Sequence, residues 1–342
     1  MPEGHTVHRL ANTFDALFAG QQLEISSPQG RFADGAAILS GRWLVQSQAY
    51  GKHMYLGLGD RPDQGDEDLA WLRVHLGLYG SWTFSSDGSA NVAHAIGAPR
   101  KRIGERETTL ASHSTTAREN PGEGSNFVAG TSNDGDWQPP PPRGLVRARL
   151  ETERAVADLN GPSACEVIDY DAKLISVAKL GPDPIRRDAD AQPFIDRVRR
   201  SRTTIGAMLM NQQVIAGVGN IYRAEVLFRA GIDPLAPGNT LTSSQLQDIW
   251  DDLVVLMRDG VKVGAIVTTR PGDRLKGMSA KDHEQGRAVT RQNTDGDPDA
   301  VPRNQSFYTY HRTGAPCRLC ATPIAMADLQ ARKLYWCPGC QK

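Results

Sequence analysis

The chain begins with Met1-Pro2-Glu3, a start that can carry chemistry once the methionine is gone. Methionine ahead of a small residue is commonly removed, which leaves Pro2 with a free secondary α-amine. Because an α-amine has a pKa of about 7.7–8.0, much of it is unprotonated near neutral pH and can attack a carbonyl carbon to form an iminium. On the first six residues alone, an ordinary surface start is the favoured interpretation, because short motifs often match by chance.

Two cysteine pairs near the other end of the chain predict a metal site. Cys317-Arg-Leu-Cys320 and Cys337-Pro-Gly-Cys340 are separated by 16 residues, a spacing typical of zinc sites. Four thiolates leave no open coordination position, so we expect one structural Zn²⁺. A redox dithiol is the alternative. The spacer predicts a β-hairpin whose tip carries Arg332, which either grips a phosphate or is a solvated turn residue.

Composition limits the class of protein. The 342 residues suffice for two or three domains, and 39% of them are hydrophobic. Formal net charge is zero, so any site for a polyanion depends on a local concentration of basic residues. We find neither an apolar run long enough to span a membrane nor a secretory signal. Cysteines paired for metal and no signal peptide indicate a reducing cytoplasm.

The chain alternates between β-rich, polar and helical stretches. Apolar residues at helical spacing from Val7 to Phe18 predict an early helix, and the segments that follow predict strands. The polar stretch at about 86–143 reads as a flexible insertion, and 271–303 as a loop or linker. The predicted domains are 1–172 (β-rich, with the insertion), 173–270 (helical) and 304–342 (zinc hairpin).

The helical region contains a candidate anion site. Gln213 closes one turn, and Gly219 and Asn220 precede a helix predicted from Ile221, where backbone N–H groups and the helix dipole favour an anion. A tight turn without a ligand is the alternative. Further along, Ser244 and Gln247 match a capping box at the start of another helix.

Five motifs in one order resemble a known family. Met1-Pro2-Glu3-Gly4, Gly51-Lys52-His53, the segment 75–80, the segment 211–229 and the terminal cysteine hairpin are similar to the formamidopyrimidine-DNA glycosylase and endonuclease VIII family, closer to the endonuclease VIII-like branch. The resemblance implies a multidomain α+β fold. It comprises an N-terminal β-sandwich with an early helix, a helix–two-turn–helix domain and a C-terminal four-cysteine zinc β-hairpin.

The resemblance also implies a function in base-excision repair. Pro2 would form a Schiff base with the deoxyribose of a damaged nucleotide, assisted by Glu3, Lys52 and Arg332, and β,δ-elimination would follow. The implied partner is damaged DNA, duplex or single-stranded, bound by a cytoplasmic monomer (nucleoid-associated in a bacterium) that prefers oxidised pyrimidines over 8-oxoguanine. The implied DNA-binding residues are Leu78, Tyr79, Gln213, Gly219, Asn220 and Arg332. Leu78 and Tyr79 would wedge into the duplex; without the family they read equally well as core residues.

Three departures from the family pattern leave alternatives open. Position 6 is Thr6, where relatives carry a second glutamate, so His5 or another group would have to substitute for it. The turn that ends at Gln213 lacks the lysine of many relatives, and the two long polar stretches have no assigned role. The alternative function is a protein that binds damaged or abasic DNA with lyase activity only, or with none. A zinc-ribbon accessory of transcription or of the ribosome is a third class.

Overall fold

The computed structural model describes residues 2–89, 93–97, 137–276 and 301–342. Most of the predicted insertion at 86–143 and of the predicted loop at 271–303 therefore lies outside the described residues. The described chain forms two compact units. One contains Pro2, Val7–Ala49 and His53–Leu174; the other contains Glu3–Thr6, Tyr50–Lys52 and Ile175–Lys342. The finer division at 172, 270 and 303 stays a prediction.

The first unit is a β-sandwich built mainly from antiparallel strand pairs, as expected from the sequence. Strand β1 pairs with β2 through Gln22 and Leu23 and with β7 from Glu24 to Ser26, so it passes from one layer to the other. The strand order is β6-β5-β8-β7-β1-β2-β3-β4-β9. The elements are α1 (Gly4–Phe18), β1 (Gln22–Ser26), α2 (Ala33–Leu39), β2 (Arg42–Tyr50), β3 (His53–Gly59), β4 (Ala70–His75), β5 (Ser81–Ser86), β6 (Ala95–Gly97), β7 (Val146–Glu151), β8 (Ala155–Asn160), β9 (Ala164–Ile168) and α3 (Tyr170–Ala178).

Helix α1 lies on this sandwich through the apolar face that the sequence predicts. Phe14 is fully buried, and its ring meets Trp82 edge-on with centroids 4.8 Å apart. Aromatic pairs in this arrangement contribute beyond their buried area. The alternating sequence from Val167 to Tyr170 predicts a strand, but β9 ends at Ile168 and α3 begins at Tyr170. The reason is Asp169, whose carboxylate accepts the backbone N–H of Ala172 at 2.8 Å and so stabilises the start of a helix.

The second unit combines a helical core with a small β-hairpin. Short helix α5, two turns and α6 form the helix–two-turn–helix, and β10 and β11 pair antiparallel from Ala325 and Trp336 to Leu329 and Arg332. The elements are α4 (Gln192–Arg199), α5 (Ile205–Met208), α6 (Asn220–Arg229), α7 (Ser243–Val263), β10 (Ala325–Leu329) and β11 (Arg332–Trp336). Among the described residues, no helix combines the length and apolarity that a membrane crossing requires.

Helix α7 begins one residue before Ser244, and its capping box differs from the predicted one. Thr242 accepts the N–H of Gln245 at 3.2 Å, and the side chain of Gln245 accepts the N–H of Thr242 at 2.9 Å. Ser244 and Gln247 match the same sequence pattern two residues later. The reciprocal bonds satisfy two backbone donors at once, which is why the earlier pair sets the start of the helix.

A buried ion pair in the sandwich should make stability depend on pH. Arg149 holds Asp158 at 3.3 Å and donates to the carbonyl of Pro140 at 2.6 Å. Burial outweighs Arg149 and raises the pKa of Asp158 to about 6. A raised carboxyl pKa means that the folded state binds the proton more tightly than the unfolded chain. This stabilisation is therefore complete below about pH 4 and is lost as the pH rises through 6.

The Asp158→Asn variant mimics the neutral acid and should lack this dependence. From pH 4 to pH 7, the free energy of unfolding of the wild-type protein should fall relative to that of the variant by at most about 3 kcal/mol. Urea denaturation of both proteins at pH 4, 5, 6 and 7 measures the difference. A difference that does not change with pH would show that folding does not raise the pKa of Asp158.

Candidate active site

Glu3 lies at the N-terminus of α6 with its side chain fully buried. One carboxylate oxygen accepts the N–H of Ile221 at 2.8 Å, and the other accepts those of Gly219 at 2.9 Å and Tyr222 at 3.4 Å. The unpaired N–H groups of a helix start and the helix dipole favour a negative charge here. Burial nevertheless dominates and raises the pKa of Glu3, opposed by Lys52 and by the backbone donors. The candidate anion site at α6 is thus occupied by a carboxylate of the chain itself.

Gly219 is required by the close approach of Glu3. A Cβ atom at residue 219 would lie 2.5 Å from the carboxyl carbon of Glu3, inside the contact distance of two carbon atoms. The backbone there is extended, with φ −128° and ψ −159°, so the requirement is for space and not for an unusual dihedral angle. The N–H of Gly219 is already used by Glu3 and is not available to a phosphate. The predicted contact of Gly219 with DNA stays a prediction.

Lys52 reaches the same region from the turn between β2 and β3. Gly51 adopts φ +58° in that turn, which glycine takes at little cost, and its N–H donates to Asp183 at 2.7 Å. The Lys52 ammonium donates to the carbonyl of Val218 at 2.7 Å. Burial lowers the pKa of Lys52 to about 8; the charge of Glu3 opposes this shift, and that of Arg332 adds to it. The structure thus brings three of the predicted catalytic residues into one electrostatic environment.

A buried arginine that sequence reasoning missed joins Asn220 to the hairpin. Arg223 is fully buried; it donates to the side-chain oxygen of Asn220, to the carbonyl of Lys333 at 2.9 Å and to that of Gly206 at 3.3 Å. Lys333 directly follows Arg332 in the chain. By binding the carbonyl of Lys333, Arg223 holds the backbone next to Arg332. An arginine within the apolar sequence of α6, three residues after Asn220, was the available signal.

The first turn of the helix–two-turn–helix uses its two glutamines differently. Gln212 donates to the carbonyl of Val218 at 3.0 Å and accepts the N–H of Gly217 at 3.0 Å, so it braces the second turn. Gln213 is exposed, and its carbonyl accepts a hydrogen bond from Arg197 at 2.5 Å. Of the two side chains, only the exposed Gln213 is available to a ligand.

The four cysteines come together as the spacing predicts. Their sulfur atoms all lie within 4.8 Å of one another, with Cys317 and Cys340 3.8 Å apart and Cys320 and Cys337 3.4 Å apart. A tetrahedral zinc with bonds of about 2.3 Å spaces its sulfurs about 3.8 Å apart. The residues therefore fit a four-coordinate metal ion. At the far end of the hairpin, Gln330 and Ala331 adopt positive φ and place Arg332 next in the chain.

Leu78 and Tyr79 lie on the turn between β4 and β5 of the first unit. Their exposed fractions are 40% and 65%, so the interpretation of both as plain core residues is wrong. Gly77, with φ +66°, permits the turn, and a Cβ at Gly80 would lie 2.3 Å from the carbonyl oxygen of Leu76. Large apolar side chains at an exposed turn are typical of a binding surface.

Pro2 and Thr6 flank Glu3 in the chain and are both buried. Pro2 is the residue directly before Glu3 in the chain. The hydroxyl of Thr6 lies 3.3 Å from Nε2 of His5, and the His5 ring packs edge-on against Tyr222. Thr6 therefore fills its position with a short polar side chain paired to His5.

Comparisons with known proteins agree with this arrangement. Residues 180–271 match the family model described as the formamidopyrimidine-DNA glycosylase H2TH domain. The chain is 37% identical over 344 residues to endonuclease 8 1 of Mycobacterium tuberculosis, covering 100% of both chains. It is 31% identical over 163 residues to the formamidopyrimidine-DNA glycosylase of Methylobacillus flagellatus, covering 48% of this chain and 50% of the relative.

A solved structure shares the fold at low sequence identity. The Lactococcus lactis Fpg protein, in complex with DNA that contains an abasic site, superposes with a TM-score of 0.65 at 19% identity. The match covers 99% of both chains. The predicted fold class is thereby confirmed.

The contact between Glu3 and Gly219 predicts a specific sensitivity to one methyl group. The Gly219→Ala variant should lose about 1–3 kcal/mol of unfolding free energy because an overpacked site must shift. Gly65→Ala is a matched control, since no atom lies within 4 Å of a Cβ built there and its φ is −71°; it should change stability by less than about 0.5 kcal/mol. Urea denaturation measures both. Equal effects would mean that α6 moves freely away from Glu3.

Proposed function

The chain belongs to the formamidopyrimidine-DNA glycosylase and endonuclease VIII family, and we propose that it is a bifunctional DNA glycosylase and apurinic/apyrimidinic lyase of base-excision repair. The observation that carries this proposal is the placement of Glu3. It is bonded to Pro2 in the chain, buried on α6, and under the influence of the Lys52 charge. An amine, a proton-holding acid and a cation within one short region are what Schiff-base chemistry on a polyanion requires.

In the proposed reaction, the Pro2 nitrogen attacks C1′ of the damaged nucleotide as the bond from C1′ to the base breaks. The base leaves with a proton. The C1′–O4′ bond then breaks and O4′ takes a proton, which opens the sugar ring and gives an iminium between Pro2 and C1′. This iminium makes the C2′ proton acidic. Loss of that proton breaks the C3′–O bond and releases the 3′ phosphate; a second elimination breaks the C5′–O bond. Burial raises the pKa of Glu3, which favours the protonated form of a group that must supply a proton.

The cationic side chains serve the phosphates. Lys52 binds a phosphate beside the lesion and assists the elimination, and Arg332 with Asn220 grips the phosphates on either side of the flipped nucleotide. Arg332 also assists the second elimination, because its planar fork can bind a leaving phosphate with two hydrogen bonds. Gln213 completes the proposed phosphate contacts, whereas Gly219 serves the site by leaving room for Glu3 and donating its N–H to it.

The proposed substrate is damaged duplex DNA, with oxidised pyrimidines preferred. A base inside a duplex must be flipped out to be reached, and the exposed side chains of Leu78 and Tyr79 are the proposed wedge that fills the gap. The four cysteines hold one Zn²⁺, whose role is to stabilise the hairpin that presents Arg332. We place this activity in the cytoplasm, on the nucleoid of a bacterium, and assign it to a monomer.

Borohydride trapping tests the chemistry. The protein from which Met1 has been removed is incubated with abasic DNA, and borohydride is added to reduce the Schiff base. A covalent adduct should then be found on the peptide that begins with Pro2. The Pro2→Leu variant is expected to keep Met1, since methionine is removed ahead of small residues, and should give no adduct at that position. If the wild-type protein forms no adduct, the proposed glycosylase and lyase activity is excluded. An adduct without release of oxidised bases from a lesion panel would indicate the lyase alone.

The pKa of Lys52 predicts how DNA affinity responds to pH. An ammonium with a pKa of about 8 is charged at pH 7 and largely neutral at pH 9. Affinity for DNA with a tetrahydrofuran abasic analogue should therefore fall roughly tenfold over this range. The Lys52→Arg variant keeps its charge at pH 7 and at pH 9. Its affinity should fall only as far as deprotonation of the Pro2 amine lowers it, and that effect is common to both proteins. Fluorescence anisotropy at constant ionic strength measures it; parallel curves would exclude Lys52 as a phosphate ligand.

A further inference from the structure

Arg318 lies between the metal-site residues Cys317 and Cys320, yet its side chain points away from them into the protein. It is 3% exposed. Its guanidinium donates to four backbone carbonyls at 2.5–3.0 Å: those of Phe307, Arg274, Lys276 and Asn304. The planar fork of five donors is what allows one side chain to serve several acceptors in different directions.

The four carbonyls belong to two separate stretches of chain, 268–276 and 302–308, which we call the flanking segments because they precede and follow residues 277–300. The segments also bond to each other. The N–H of Thr268 donates to Ser306 at 2.9 Å, and the Thr269 hydroxyl donates to Gln305 at 2.7 Å. The N–H of Arg270 donates to the Tyr308 hydroxyl at 3.0 Å. Arg318 donates to carbonyls of both segments at once. It therefore links the two flanking segments to the part of the chain that carries the four cysteines.

The packing of the metal site gives it a direct influence on Arg318. Cys317, Cys337, Ile324, Phe228 and Tyr308 form a separate small apolar cluster. A core of this size cannot hold a hairpin in place by burial alone, and a structural metal supplies the missing free energy. The metal would fix both cysteines that bracket Arg318, and with them the origin of its side chain.

We propose that Arg318 is a positioning residue through which metal occupancy of the four-cysteine site sets the placement of the two flanking segments. The metal site thus has a role beyond the hairpin that it closes. The inference concerns the protein without DNA, so it stands or falls independently of the proposed repair activity.

Hydrogen–deuterium exchange on the full chain tests this coupling. Removing zinc from the wild-type protein with a chelator should accelerate exchange of the amides of residues 268–270 at least about tenfold, because their acceptors are no longer held. The amide of Leu253 inside α7 serves as the internal reference. If chelation leaves residues 268–270 as protected as before, the proposal is wrong, and no variant is needed to show it.

Two variants test the route through Arg318. Zinc-loaded Arg318→Met should show the accelerated exchange already, and removing its metal should add less than about twofold. Arg258→Met is the matched control: Arg258 also donates to two backbone carbonyls, those of Ile185 and Arg186, which lie outside the flanking segments, so its loss should leave residues 268–270 unchanged within about twofold. Wild-type protection in loaded Arg318→Met, or a full further effect of chelation in that variant, would overturn the proposal.

Reciprocity supplies a second readout. If metal and flanking segments are coupled through Arg318, the variant must also bind zinc more weakly, by the same factor as the coupling. Competition with a zinc-binding dye measures this for Arg318→Met, Arg318→Lys and the control Arg258→Met. The lysine keeps the charge but not the fork, so its zinc affinity should fall between that of Arg318→Met and that of the wild-type protein. Zinc affinity equal to wild type in both Arg318 variants would exclude the coupling.

Discussion

The insertion of the Glu3 carboxylate into the start of α6 is the interaction on which the rest of the site depends. Burying a carboxyl group is costly unless its oxygens are hydrogen-bonded, and here three backbone N–H groups and the dipole of α6 meet it. The second unit therefore includes a short piece of the N-terminus, Glu3–Thr6. Because Pro2 is the preceding residue, whatever its amine does is done from a position that this carboxylate sets.

The charges around Glu3 constrain one another. Lys52 favours the ionised form of Glu3, while burial favours the neutral form, and the balance leaves the pKa of Glu3 raised. Burial and Arg332 lower the pKa of Lys52, and Glu3 limits that shift. A chain without net charge thus gathers positive charge locally, beside an acid that is able to hold a proton. This arrangement favours a phosphate backbone without requiring a basic protein overall.

The sequence predicted the features whose signal is local and failed where partners are distant. Cysteine spacing predicted that the four cysteines come together, and apolar periodicity predicted α1 and its burial. The use of the Gly219 amide was not predictable, because its acceptor, Glu3, is 216 residues away in the chain. Arg318 was missed for a different reason: its four acceptors are backbone carbonyls, which every residue possesses and no sequence pattern marks. Arg223 was missed although it lies within the apolar sequence of α6, because the carbonyl of Lys333 that it contacts is 110 residues away in the chain. The capping box of α7 was misplaced because two neighbouring pairs match one pattern.

Helix α6 relates these parts to one another over a short distance. Its first turn holds Glu3, and Arg223 in the next turn holds the hairpin backbone at Lys333. Glu225, fully buried, accepts the N–H groups of residues 308–310 at 2.7–2.8 Å. From Asn220 to Glu225 the helix rises only about 7.5 Å. Less than two turns of helix separate these contacts, and such a short helix bends little. The positions of Glu3 and of the hairpin that carries Arg332 are therefore both set by α6. The metal site then has only to fix the hairpin against α6.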